Sequence, residues 1–126
     1  MPYDLAIDVE NKPGALAKVA AAISDAGVNI AAATCLGGGE RAEVHILVPY
    51  AEAAKHALAI SHLAVTRERE VVVVDVEDRP GVLADLTRKI ARAGVDLDLV
   101  YVATRNRVVF GAADLAGLKA ALDVSS

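Results

Sequence analysis

One stretch of this chain is written twice. Val9-Glu10-Asn11-Lys12-Pro13-Gly14-Ala15-Leu16 returns as Val76-Glu77-Asp78-Arg79-Pro80-Gly81-Val82-Leu83. The register continues beyond the copied turn, because Ile23/Ile90, Gly27/Gly94 and Val28/Val95 keep the offset of Pro13/Pro80, 80 − 13 = 67. A single gapless offset through two glycines, a proline and a run of apolar positions is the mark of an internal duplication. A period near 67 is too long for a solenoid repeat and suits a small α/β module, so the 126 residues are read as two modules, 1–68 and 69–126. A module of roughly 65 residues buries only about 60% of its unfolded surface, and the halves are expected to pack on each other or on another chain.

Tyr3, Leu5, Ile7 and Val9 alternate with Asp4, Ala6 and Asp8, the period of a strand with one buried face. After Pro13-Gly14 the period changes. Leu16, Val19, Ala20 and Ile23 line one face of a helix that Gly27 should close. A second strand is expected over Val28 to Leu36, a third over about Arg41 to Val48 beyond the Gly37-Gly38-Gly39 turn, and a helix over Ala51 to Ile60. Ser61 to Thr66 can supply a fourth strand, and the alternating charges Arg67-Glu68-Arg69-Glu70 read as a solvated strand end or a linker. The first half therefore reads β-α-β-β-α-β, a ferredoxin-like order in the α+β class, with an antiparallel sheet and helices on one face.

The second half restarts at Val71 to Val76, and its first helix carries Leu83, Leu86, Ile90 and Ala93 on one side. Val95 to Thr104 and Val108 to Ala112 form a hairpin with a shorter turn at Arg105-Asn106, and Asp114 can cap a last helix bearing Leu115, Leu118 and Leu122. Only four residues remain after Leu122, too few for a full counterpart of the strand near Leu63, so the last strand of this module is short or missing. Leu97, Leu99, Val100 and Val102 make a strand apolar on both faces, which points to contact with another module and to a homodimer.

Composition removes several functions. Aromatic residues make up 3% of the chain and the net charge is −4, so neither stacking surfaces nor clustered cations favour nucleic acid as a partner. No apolar run approaches the ~18 residues of a membrane span, and the N-terminal stretch is interrupted by Asp4, Asp8 and Glu10 rather than built as a signal peptide. One cysteine, Cys35, forms no intrachain disulfide and is expected to be a small buried hydrophobe; a cytoplasmic protein is the expectation. His45, His56 and His62 lack the spacing of a zinc site. Glu77, Asp78 and Asp96 are a minor alternative for a hard cation. No serine elbow, phosphate loop or cysteine pair is present, so neither enzyme activity nor a cofactor is expected.

A strand that turns through Pro-Gly into a helix leaves the first helical N–H groups facing the turn, which suits a carboxylate. The longer pattern is more specific. Glu10 through Leu16, followed by Ala26-Gly27-Val28-Asn29-Ile30, closely resembles the ACT domain, a βαββαβ module that binds amino acids and controls metabolic enzymes; Glu77 through Ala93-Gly94-Val95-Asp96-Leu97 resembles it too. The resemblance implies a free-standing tandem regulatory protein whose partners are an amino acid or related small carboxylate and a metabolic enzyme. It also implies a ligand at a seam between modules, held by the turn before the first helix and the start of the second strand. Carried over, the ligand-binding residues are Asn11, Lys12, Pro13, Gly14, Ala15, Asn29 and Ile30 in the first copy and Asp78, Arg79, Gly81, Val82, Asp96 and Leu97 in the second.

Asn11 and Asn29 suit a zwitterion, since an amide both donates and accepts. Val9 stands where serine-binding members of the family have a histidine, which counts against serine. Asp78 and Asp96 replace the two amides and suit an amine or a cation, so the copies are not equivalent. The competing reading is a structural module that dimerises without a ligand.

Overall fold

The computed structural model describes residues 2–124. Two compact units divide between Glu70 and Val71. The first contains β1 (Tyr3–Glu10), α1 (Ala15–Asp25), β2 (Ala32–Gly38), β3 (Arg41–Val48), α2 (Ala51–Ile60) and β4 (Ala64–Glu70). Its sheet runs β2-β3-β1-β4, with every neighbouring pair antiparallel. Alternation places Leu5, Ile7, Val9, Val44, Ile46 and Val48 on one face, where Val19 and Ile23 of α1 and Ala54 and Leu58 of α2 complete the core. Both helices therefore cover the same face of a ferredoxin-like α+β module.

The second unit repeats the order with β5 (Val72–Asp75), α3 (Val82–Arg92), β6 (Leu97–Ala103), β7 (Arg107–Ala112) and α4 (Leu115–Ala121). Its strands are arranged β5-β7-β6, and among the described residues no strand follows α4. Phe110 is fully buried opposite Val72, in the place that Ile46 takes opposite Leu5. Across the hairpin the offset falls from 67 to 110 − 46 = 64. The second hairpin turns tightly, with Arg105 and Asn106 both at positive φ (62° and 55°), the conformation that suits the twist of paired strands. Asp114 caps α4 as expected, its carboxylate accepting from the Gly117 N–H at 2.9 Å.

Four sequence expectations change. Of the two readings of Arg67 to Glu70, the strand end holds and the linker does not, while the strand itself shifts: β4 starts at Ala64 rather than Ser61 and pairs along β1 as far as Tyr3 opposite Glu70. Alternation makes this possible, since Glu68 turns toward α2 and takes the Lys55 ammonium at 3.0 Å. Strand β2 starts at Ala32 rather than Val28, because the Gly27 and Val28 N–H groups close the end of α1 on Ser24 and Ile23 carbonyls. Cys35 is exposed, not buried, as the helices do not cover the edge strand β2. The buried stripe of α1 is Val19, Ala22 and Ile23, leaving Leu16 46% exposed beside the turn.

Candidate functional site

The two copied turns have the same backbone. Gly14 sits at φ 89°, ψ −11° and Gly81 at φ 89°, ψ −10°, each as the residue before its helix. A side chain in this left-handed conformation is strained, so glycine is what lets the chain enter the helix here. Lys12 N–H reaches the Glu10 carbonyl at 3.0 Å and Arg79 N–H the Glu77 carbonyl at 3.0 Å, so the turns also match in hydrogen bonding.

Their side chains differ. In the first module a hollow of about 330 Å³ opens at the turn, bringing together Lys12, Pro13, Gly14 and Ala15 from the expected site. Lys18, Arg41 and His62 join them, although the motif did not single them out. Arg41 donates to both Asp8 carboxylate oxygens, at 2.7 and 3.3 Å, and Lys12 pairs with Glu10 at 2.9 Å. The Arg41 hydrogen bond holds the Asp8 carboxyl below its ordinary range, and Asp8 in turn raises Arg41. Hydrogen bonding and charge from Lys12 hold Glu10 down, with smaller help from Arg41 and Lys18.

Asn11 does not face this hollow. Its Nδ2 donates to the Gly39 carbonyl at 3.0 Å while its backbone N–H takes Glu40 at 2.9 Å, so the residue braces the β2–β3 turn. Gly37 is bare beneath it: a Cβ there would stand 2.9 Å from Asn11 Oδ1. Asn29 and Ile30 line a separate, shallow hollow with Gly27 and Val28. The reason is topological. Strands β1 and β2 both run antiparallel to β3, so the end of β1 and the start of β2 lie at opposite ends of the sheet. The 11 residues of α1 span about 16 Å between those ends. Within one module the two asparagines are not two halves of one site.

The second module repeats that separation, with Asp78 and Arg79 before α3 and Asp96 and Leu97 beyond it. Leu97 and Ile30 pack against their module cores. Asp78 and Asp96 are exposed, and Val82 opens α3. Arg79 folds across its own turn, donating to the Pro80 carbonyl at 3.2 Å and to Asp85 Oδ2 at 3.2 Å, with Glu77 3.5 Å away.

Another polar group lies on β1 and β3, where fully buried Asp4 meets His45 Nδ1 at 2.8 Å and Glu43 meets Nε2 at 2.6 Å. Among the described residues no group of three or more His, Cys, Asp or Glu side chains is placed to hold a metal ion. Among the described residues no helix is long and apolar enough to cross a membrane.

Paired β–α turns of this kind, each opening a helix over an antiparallel sheet, make the chain a tandem of ferredoxin-like α+β modules. The family model of the ACT domain matches residues 3–49 and 71–121, and the chain belongs to that family. Among solved structures it is similar to protein BT0572 from Bacteroides thetaiotaomicron, at 25% identity and TM-score 0.85 over 96% of this chain and 85% of that one. The regulatory subunit of aspartate kinase from Thermus thermophilus shares the fold at 18% identity and TM-score 0.71, over 99% of this chain and 93% of that one. Its counterpart from Thermus flavus does so at 17% and 0.68, over 97% and 90%. No curated protein matches the chain in sequence.

Proposed function

We propose that the protein binds an amino acid or a related small carboxylate at the turn between β1 and α1, and that the bound state alters its assembly or its contact with a metabolic enzyme. It performs no chemistry of its own in this reading, and it acts in the cytoplasm. The observation that carries it is the hollow at the first turn, whose 330 Å³ falls within the usual range of about 300–1,000 Å³ for ligand pockets. The hollow holds both charge types that an amino acid needs: Lys12, Lys18 and Arg41 for a carboxylate, Asp8 and Glu10 for an ammonium. Regulation follows only if the ligand binds one assembly state more tightly than another.

A thermal-shift screen with the common amino acids tests this reading. A ligand at about 100 times its Kd adds about 2.7 kcal/mol, which raises the melting temperature of a chain this size by several degrees. If no amino acid at millimolar concentration moves the melt, the function is assembly without a ligand. Exposed apolar side chains on one edge strand of each sheet favour that second reading, with Leu36 on β2 79% and Val102 on β6 69% exposed. A homodimer belongs to either reading, and sedimentation that finds only monomer at micromolar concentration removes it.

A further inference from the structure

Helices α1 and α3 carry opposite charges at both ends of one face. The offset of 67 sets Lys18 against Asp85 and Asp25 against Arg92, since 18 + 67 = 85 and 25 + 67 = 92. In α3 the order follows the helix dipole, with Asp85 in the first turn and Lys89 and Arg92 in the last. In α1 it runs the other way. The first turn holds no acid and the last no base, so Lys18 stands toward the positive end of the dipole and Asp25 at the negative end.

Nothing in its own module answers either charge of α1. Asp85 is held by Arg79 at 3.2 Å and Arg88 at 3.4 Å, whereas among the described residues neither Lys18 nor Asp25 makes an ion pair within 4 Å. Apart from these two, α1 is uncharged. Ala17, Ala21 and Ser24 are exposed on it, while Val19, Ala22 and Ile23 turn to the core. Both charges lie on the α2 side. Asp25 lines a groove of about 280 Å³ that α1 forms with Ala53, His56 and Ile60 of α2, and Lys18 borders the first hollow with His62 and Leu63 beyond the end of α2. Ala20 and Ser24 line the hollow at the start of β2 instead. The charged face is therefore the outer surface of the helix layer and not the free edge of the sheet.

Seven residues, 25 − 18, make two helical turns less about 20°, so the two charges stand about 10.5 Å apart along one side of the helix. A second α1 laid antiparallel across Ala21 and Ala22 sets its Asp25 on Lys18 and its Lys18 on Asp25. Such a two-fold interface returns to each copy the contact it makes. Alanines at the crossing let the axes approach to about 8 Å, the close end of helix packing. Ile60, 65% exposed beside the groove, adds apolar area.

We infer that the outer face of α1 docks on the same face of a second copy, through two reciprocal ion pairs between Lys18 of one and Asp25 of the other. The α3 face is the weaker occupant. It complements α1 only when the helices run parallel, which sets like ends of the dipoles side by side, and its Asp85 is already engaged. The inference goes beyond the ligand reading and does not depend on it.

Sedimentation velocity across the micromolar range tests the surface in wild type, Lys18→Asp, Asp25→Lys and the double exchange. No amino acid is added, because Lys18 also borders the first hollow. Wild type should dimerise, and each single variant, which opposes like charges twice, should dissociate at least about tenfold more readily. An equimolar mixture of the two single variants should recover the dimer, since every Asp then meets a Lys. The double exchange should recover it too. Misfolding does not produce this pattern, and each single variant matches its new charge to the helix dipole, so its monomer should melt no lower than that of wild type.

Dimers untouched by the single exchanges, a mixture that stays monomeric, or a double exchange that fails to restore the dimer overturns the surface. Wild type that stays monomeric removes the surface together with the homodimer, while the melting shift with amino acids still decides the ligand reading by itself.

Discussion

The two Pro-Gly turns share a backbone and differ in who supplies the negative charge. Around Gly81 the chain answers its own cation, with Arg79 held between Glu77, Asp85 and the Pro80 carbonyl. Around Gly14 the cations outnumber the acids, and the space above the glycine is open. Duplication has thus preserved the framework while the charge one helical turn behind it reversed, Lys18 standing where the copy has Asp85. A shared fold therefore does not carry a shared site: the site lives in the residues placed on the fold.

The comparison is most open to attack in the cores on which the turns stand. Ile46 and Phe110 occupy equivalent buried places, and Phe110 does so in the module with three strands rather than four among the described residues. Phe110→Ala should cost about 3–5 kcal/mol and Ile46→Ala about 2–5 kcal/mol in urea denaturation. A Phe110→Ala loss below about 1 kcal/mol would contradict the core assignment of the second module.

Next in size are the turn glycines. Gly14→Ala and Gly81→Ala should each cost about 1–2 kcal/mol, and by equal amounts, because both backbones are left-handed and neither Cβ meets a clash. Unequal losses would show that the two frameworks are not alike. Asn11→Ala removes a bond to the β2–β3 turn and should cost about 0.5–1.5 kcal/mol. Its repeat counterpart Asp78→Ala, exposed beside the second turn, should change stability by less than about 0.5 kcal/mol.

The smallest effect is that of acid on the first turn. Hydrogen bonds from Arg41 and Lys12 hold the Asp8 and Glu10 carboxyls below their ordinary values of 3.8 and 4.5. Groups lowered in the folded state contribute stability that is fully present above those ordinary values and is lost as pH falls through the folded ones. Melting curves between about pH 5 and about pH 3 should therefore fall less for Asp8→Asn with Glu10→Gln than for wild type. The difference should shrink with added salt, because both pairs are at the surface.

Much of the fold was legible because periodicity and repetition agree. The switch from alternating Leu5, Ile7 and Val9 to helical spacing after Gly14, found again after Gly81, was enough to read the module and its copy. The end of β4 was legible only as one of two alternatives, since the charges of Arg67 to Glu70 suit a strand end and a linker alike until Glu68 is paired with Lys55. Cys35 was misread because its apolar neighbours say nothing about lying on an uncovered edge.

For the site, four of the residues named from the first turn do line one hollow, but Asn11 turns to the hairpin and Asn29 lies a helix length away. That separation could have been foreseen, because a strand, a helix and a parallel strand return the chain to the end of the sheet from which it left. The Lys18/Asp85 reversal is also present in the repeat, one helical turn beyond the copied motif. Arg41 could not be read ahead, since it arrives through the pairing of β3 with β1.

Calorimetric stoichiometry measures the difference between the two turns directly. With the amino acid that gives the largest melting shift, wild type should bind one ligand per chain, and Lys18→Asp none. Two equal sites per chain, or one site unaffected by Lys18→Asp and lost on Asp85→Lys, would contradict the account.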